Sequence, residues 1–140
     1  MQRILFDTNV VMDVLLERDP FVKAACVLLD ANVRGEVNGV LGATTVTTLF
    51  YLLSRAQGAD EARGHVQRLL QHFDVASVQR RVLERAAASD FDDFEDAVLH
   101  EAAQESGAEG IVTRNTDDFA PATLSIYTPH ELVRALNESL

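Results

Sequence analysis

A chain of 140 residues lies in the usual one-domain range and is long enough to bury about two-thirds of the surface that its unfolded form exposes. With 47% hydrophobic and 24% charged residues it has an ordinary globular composition, which excludes an intrinsically disordered chain. A formal charge of −10 repels phosphate backbones at long range, which excludes a general nucleic-acid coating role and leaves only a local site.

Residues 3 to 6, RILF, form a short apolar run ending at DTN, and VVMDVLLE after it puts apolar positions on one helix face. The chain therefore opens as strand, tight turn and helix. Asp7 breaks the first apolar run at once, and no stretch of about 18 apolar residues occurs, so neither signal peptide nor membrane span is expected and a cytoplasmic location is inferred. Pro20 stands where a helix can begin, and FVKAACVLLDANVR gives a second helix that Gly35 terminates. The one cysteine, Cys26, reads as a small buried thiol and supports neither a disulfide nor a thiolate metal site within one chain.

Residues 37 to 41 are a weak strand signal. ATTVTTLFYLLSRAQ then carries a helical stripe through Val46, Leu49, Phe50 and Leu53, closed by Gly58. Asp60 opens DEARGHVQRLLQHF, a helix with Val66, Leu69, Leu70 and Phe73 inward. Val75 to Val78 is strand-like, and residues 79 to 89 are helical. Surplus apolar residues on the helices at 44 to 57 and 62 to 73 suggest a homodimer interface. The run DFDDFED from Asp90 to Asp96 leads into AVLHEAAQESG, a helix ending at Gly107. GIVTRN gives a compact strand and turn, SIYT a final strand, and Pro129 starts the last helix, HELVRALNESL. Strands separated by helices, without tandem hairpin signals, predict an α/β fold with a mainly parallel sheet covered on both faces. In such sheets the functional crevice lies at the carboxyl ends of the strands, where strand order switches.

Three acidic segments fall at that edge, and each has a plain structural explanation. Asp7, Thr8 and Asn9 can cap the first helix. Asp92 can cap the helix after DFDDFED, with Glu95 as its capping-box partner. TRNTDDF, containing Asp117 and Asp118, can be a polar turn. Convergence favours chemistry over capping. If Asp7, Asp96 and Asp118 meet, each pair of carboxylates at about 4 Å repels by roughly 4 kcal/mol at an effective dielectric of 20. Such a cluster calls for a cation, and hard carboxylate oxygens suit Mg²⁺ or Mn²⁺, which can promote attack of water on a phosphodiester. Asp93, Asp96 and His100 share a helix face by spacing, so Asp93 joins the candidate metal ligands, whereas His100 is read as structural. His65, His72 and His130 have no metal-ligand spacing and are read as surface or partly buried residues. Eleven arginines against one lysine leave guanidinium contacts to phosphate available from Arg80, Arg81, Arg85 and Arg114.

The strand ending in DTN, the DFEDA segment at Asp93 to Ala97, TRNTDDF after the IV strand and the terminal TPHEL at Thr128 to Leu132 resemble, in order and spacing, the PIN-domain family, including VapC-type toxins. The resemblance spans essentially the whole chain, taken as one domain over 1 to 140. It implies a three-layer α/β/α sandwich, Mg²⁺- or Mn²⁺-dependent cleavage of RNA, homodimers and a small antitoxin partner. Asp7, Asp96 and Asp118 take the catalytic acidic positions by motif. Thr8 or Asn9 would orient the first carboxylate or the attacking water, Asn115 would brace the last turn, and Arg114 is the candidate substrate-phosphate contact. One departure stands out: the family usually carries a glutamate where Thr48 aligns, and no carboxylate lies between Glu36 and Asp60. Either Asp93 or Glu95 supplies that charge, or one of two metal positions is weakened, or the fold has become a binding or regulatory module.

Other classes fare worse. A phosphoacceptor receiver needs a lysine near the phosphoryl group, but Lys23 lies in the second predicted helix; a haloacid-type phosphatase needs an aspartate where Asn9 stands. No glycine-rich phosphate loop follows a strand, and nothing marks an activated serine or cysteine nucleophile.

Overall fold

Alternation along the strands decides which helices cover which face of the sheet. In the computed structural model, which describes residues 2–139, β1 (Arg3–Phe6), β2 (Asn38–Gly42), β3 (Asp74–Ala76), β4 (Gly110–Val112) and β5 (Ser125–Tyr127) form one parallel sheet in the order β3-β2-β1-β4-β5. Ile4, Phe6, Leu41 and Val112 point to one side. There they pack with α1 (Thr8–Leu15), α2 (Val22–Val33), α3 (Ala43–Gln57), α4 (Ala59–His72) and α7 (Pro129–Ser139). Leu5, Val40, Ala76 and Ile111 point to the other, against α5 (Arg80–Ala87), α6 (Phe94–Glu105) and Phe119 of a short 3₁₀ helix, Thr116–Phe119. Because successive side chains leave opposite faces of a strand, short strands buried on both faces read as continuous apolar runs. The expected three-layer α/β/α sandwich is what forms. Met1 and Leu140, the ends of the span read as one domain, lie outside the described residues.

The connection from β1 runs to β2 on one side, while β4 lands on the other, so strand order switches between β1 and β4. Diverging connections leave an open crevice at the carboxyl ends of those two strands. The Asp7 N–H donates to the Val112 carbonyl at 3.0 Å, holding the end of β1 beside that of β4. Both acidic turns consequently leave the sheet next to each other.

Several sequence expectations need correction. Cys26 is exposed: α2 buries Ala24, Ala25, Leu28, Ala31 and Asn32, so its small residues face inward and the thiol lies on the opposite side. Leu70 is exposed too, because α4 buries the Ala62 and Leu69 line, one residue around the helix. Asp93, not Asp92, caps α6, its Oδ1 accepting from the Asp96 N–H at 3.1 Å. Arg81 and Arg85 both pair with Glu105 of α6, and Arg80 with Glu84, which commits all three to the outer face of α5. His100 is structural as expected: it is buried, its Nε2 accepts from the Thr123 N–H at 3.0 Å, and its Nδ1 meets Glu101 at 2.8 Å. At the other end, Thr128 and Glu131 form a reciprocal capping box on α7, with N···O distances of 2.8 and 3.1 Å.

One buried polar side chain joins layers. The Asn32 Oδ1 accepts from the Gly39 N–H at 2.7 Å, and its Nδ2 donates to the His72 carbonyl at 3.0 Å, tying α2 to β2 and to the end of α4. The approach needs Gly39 bare, since a Cβ there would lie 2.6 Å from the Phe73 ring and 2.8 Å from Asn32 Oδ1. Asn32→Ala strips a donor and an acceptor of their buried partner and is expected to lower unfolding free energy by about 2 kcal/mol, read as a shifted midpoint in urea denaturation.

Candidate active site

The crevice at the β1/β4 switch is lined by Asp7, Thr8, Asn9, Thr48, Asp93, Glu95, Asp96, Arg114, Asn115 and Asp118, with Met12, Arg18 and Leu52 completing its walls. Asp7 ends β1, Asp93 and Asp96 open α6, Asp118 lies on the 3₁₀ turn after β4, and Thr48 looks in from α3. Ten of the predicted site residues thus share one cleft. Asp117, on the same short turn, does not line it; consecutive residues on so tight a helix point in different directions.

Asp7 is 7% exposed and serves two purposes at once. Its Oδ1 caps α1 by accepting from the Thr8 N–H at 2.8 Å, while Oδ2 accepts from the Thr113 hydroxyl at 2.8 Å and from Asn9 Nδ2 at 3.4 Å. Burial pushes its pKa up and outweighs the hydrogen bonds from Thr113 and Thr8 that favour the charged form, with Asp118 and Asp93 adding repulsion. Asp96 is pushed up to about 7, first by burial and then by Asp93, Asp7, Asp118 and Glu95. The carboxylates therefore act on one another as a single electrostatic unit. Thr48 brings no charge: its hydroxyl donates to the Thr44 carbonyl at 3.0 Å, within its own helix. The Thr8 hydroxyl is buried beside Asp7 without a hydrogen-bond partner.

Sequence reasoning missed a second layer. Asp13, on the inward face of α1, is fully buried and accepts from Arg18 Nε at 2.8 Å and from Arg114 Nε and Nη2 at 2.8 and 3.3 Å. Both guanidinium groups reach the cleft wall from there. Thr113 organises the turn after β4: it donates to Asp7 and accepts from the Asn115 N–H at 3.0 Å, while the Arg114 N–H donates to Asn9 Oδ1 at 3.2 Å. The Asn115 carbonyl, accepting from the Asp118 N–H at 3.0 Å, braces that turn through the backbone. The signal available for Asp13 was a charged residue in the middle of an apolar helix stripe, where burial demands a partner.

The donor set of the cleft consists of hard carboxylate oxygens, with no cysteine or histidine lining it. Among the described residues no group of three or more acidic, histidine or cysteine side chains is placed so as to hold a metal ion as it stands. Mg²⁺ and Mn²⁺ fit such a site, since they take one or two protein carboxylates and keep water for the rest, whereas a structural Zn²⁺ site would need four converged ligands.

An open parallel sheet with an acidic crevice at its switch point has its candidate binding or reaction site at the carboxyl ends of β1 and β4. A PIN domain family model matches residues 3–117, and the chain belongs to that family. Solved structures similar to it include a toxin-antitoxin complex from Klebsiella pneumoniae, with TM-score 0.69 and 23% identity over 91% of this chain and 98% of that one. DNA-bound VapBC from Salmonella typhimurium gives 0.68 and 13% over 92% and 99%. VapC20 of Mycobacterium tuberculosis, a sarcin-ricin loop cleaving toxin, gives 0.63 and 19% over 77% and 86%. No curated protein matches. At these identities the likeness to the solved structures establishes the fold.

The raised Asp96 pKa sets a pH dependence for the metal-free protein. The folded chain holds a proton there up to about pH 7, whereas the unfolded chain releases it near its ordinary 3.8, so stability falls as pH rises across that interval. In chelator, thermal unfolding is expected to show a melting temperature that drops from pH 5 to pH 8. Asp96→Asn should raise the value at pH 8 and flatten the slope; an unchanged slope would contradict the placement of this carboxyl.

Proposed function

We propose that this chain is a Mg²⁺- or Mn²⁺-dependent endoribonuclease, the toxin of a toxin-antitoxin pair, and that the acidic crevice is its catalytic centre. The observation that carries the reading is the convergence of Asp7, Asp93, Asp96 and Asp118, from three separate stretches of chain, on one cleft, where burial and then the neighbouring carboxylates raise the pKa of Asp7 and Asp96. Nucleases of the PIN domain family generally use divalent metals, and some structural relatives are toxins held with antitoxins.

Asp7, Asp96 and Asp118 would hold the cation, with Asp93 supplying the charge that Thr48 does not. A hard divalent ion bound there supplies neutralisation of the phosphate and acidification of water. Asp7, fixed by Thr113 and the Thr8 N–H, keeps one orientation while substrate enters. The Thr8 hydroxyl and Asn9 stand beside it to orient the attacking water, and Arg114, held by Asp13, faces the substrate phosphate. Glu95 at the rim raises the local negative charge further, keeping phosphates out until a cation is loaded.

The second reading, a PIN fold kept as a binding or regulatory module, rests on Thr48, whose hydroxyl is turned to its own helix rather than offered to a ligand. Metal titration with an RNA cleavage assay separates the two. Asp7→Asn and Asp96→Asn are each expected to lower cleavage at least a hundredfold while the circular dichroism spectrum is retained, and Thr48→Glu to tighten Mn²⁺ binding. Full activity in either asparagine variant would overturn the catalytic assignment.

A homodimer through α3 and α4 is part of the same proposal. Leu53 is fully buried and Leu52 lines the cleft, so Tyr51, at 57% exposure, is the residue to charge. Tyr51→Glu is expected to convert a dimer in small-angle scattering into a monomer.

A further inference from the structure

We infer that a cavity beside the acidic cleft, walled by Phe21, Arg114 and His130, seats the base of an unpaired nucleotide flanking the scissile phosphate. The inference rests on the ribonuclease reading of the cleft and assigns it a substrate subsite. The cavity has a volume of about 360 Å³ and lies between the start of α2 and the start of α7, with Thr128 and Pro129 at its back. Its size falls within the roughly 300–1,000 Å³ of small-ligand sites.

Three features point to a base. First, the walls include three planar side chains. The Arg114 guanidinium lies over the Phe21 ring with Cζ 3.9 Å from the centroid, Phe21 is still 38% exposed, and His130 is exposed opposite the start of α2. Aromatic rings and guanidinium planes are what proteins use to stack unpaired bases. Secondly, Arg114 lines both this cavity and the acidic cleft, and Asp13 fixes it through two nitrogens. A nucleotide with its phosphate in the cleft therefore has its base, one sugar away, directed across a rigid arginine rather than a mobile one. Thirdly, the chain carries a formal charge of −10, so attraction to phosphate cannot supply most of the affinity for RNA. Stacking is independent of that charge, and a platform next to the cleft is where it would be gained. An apolar protein side chain would use the volume of the cavity but not its flat, partly cationic walls.

The experiment is equilibrium binding of short single-stranded RNAs, each with 2-aminopurine at one position, to the intact chain with calcium in place of magnesium. One position is expected to show quenching, and removing the base at that position to weaken binding about tenfold. Phe21→Leu, which keeps apolar bulk but not the ring, should cause a similar loss and abolish the quenching; Phe21→Tyr should retain both. In Phe21→Leu the abasic RNA should then bind no worse than the intact one. RNA that fails to bind the wild type, or binding and quenching unaltered in Phe21→Leu, overturns the subsite and leaves the cavity to a side chain of a protein partner. Cleavage with Mn²⁺ is scored separately. Position-specific quenching without cleavage sinks the nuclease reading while the base seat stands, and cleavage with no coupling between Phe21 and the base does the reverse.

Discussion

Repulsion among carboxylates at the β1/β4 switch sets the terms for everything around it. Asp7 comes from the end of a strand, Asp93 and Asp96 from the first turn of α6 and its cap, and Asp118 from the turn after β4. Burial first, and the neighbouring carboxylates second, keep a proton on Asp96 up to about pH 7, while Asp7 is held by donors from Thr113 and Thr8. The two carboxyls thus have different duties in the same field. One is oriented by hydrogen bonds, whereas the protonation of the other is set by burial and by its acidic neighbours.

Behind this centre a network of opposite sign makes the cleft wall rigid. Asp13 is fully buried and bridges Arg18 and Arg114. A buried charge is tolerable only when paired and hydrogen-bonded, and removing one partner of such a set typically costs about 3–5 kcal/mol. That penalty keeps both arginines where they are. Arg114 is held further by Phe21 on its flat face and, through its backbone, by Asn9. Asn9 also reaches Asp7 and Thr113, each at 3.4 Å, so the cationic wall and the first carboxylate are positioned by one connected set of bonds.

What the sequence made legible follows from how strongly each feature is dictated locally. Periodicity located the α-helices, and of the stripe marked on α3 Leu49 and Leu53 are buried while Val46 and Phe50 are partly buried against the same core. The DTN, DFED and TDDF segments sit at element boundaries, so their meeting at one edge followed from parallel topology alone. Which face of a helix turns inward was harder. α2 has apolar residues nearly all round, and its alanines, rather than Cys26 or Val27, pack inward because they let α1 and α7 approach closely. The pairing of Asp13 with Arg18 remained hidden for another reason. Asp13 is marked locally, as a charge within an apolar helix stripe, but its partners are not: nothing in the sequence joins it to Arg18 in the turn after the helix or to an arginine a hundred residues later.

Thr48 shows how charge and position separate in such a site. Thr48 lines the cleft from α3 without a charge, whereas Asp93 lies three residues before Asp96 at the start of α6. Asp93 also spends Oδ1 on the Asp96 N–H to cap α6, so its second oxygen is the one turned to other duties. The acidic lining of the cleft comes from the end of β1, the start of α6 and the turn after β4, and none of it from α3. The cleft wall also includes Leu52 of α3 and Met12 of α1, apolar side chains that hold water only weakly.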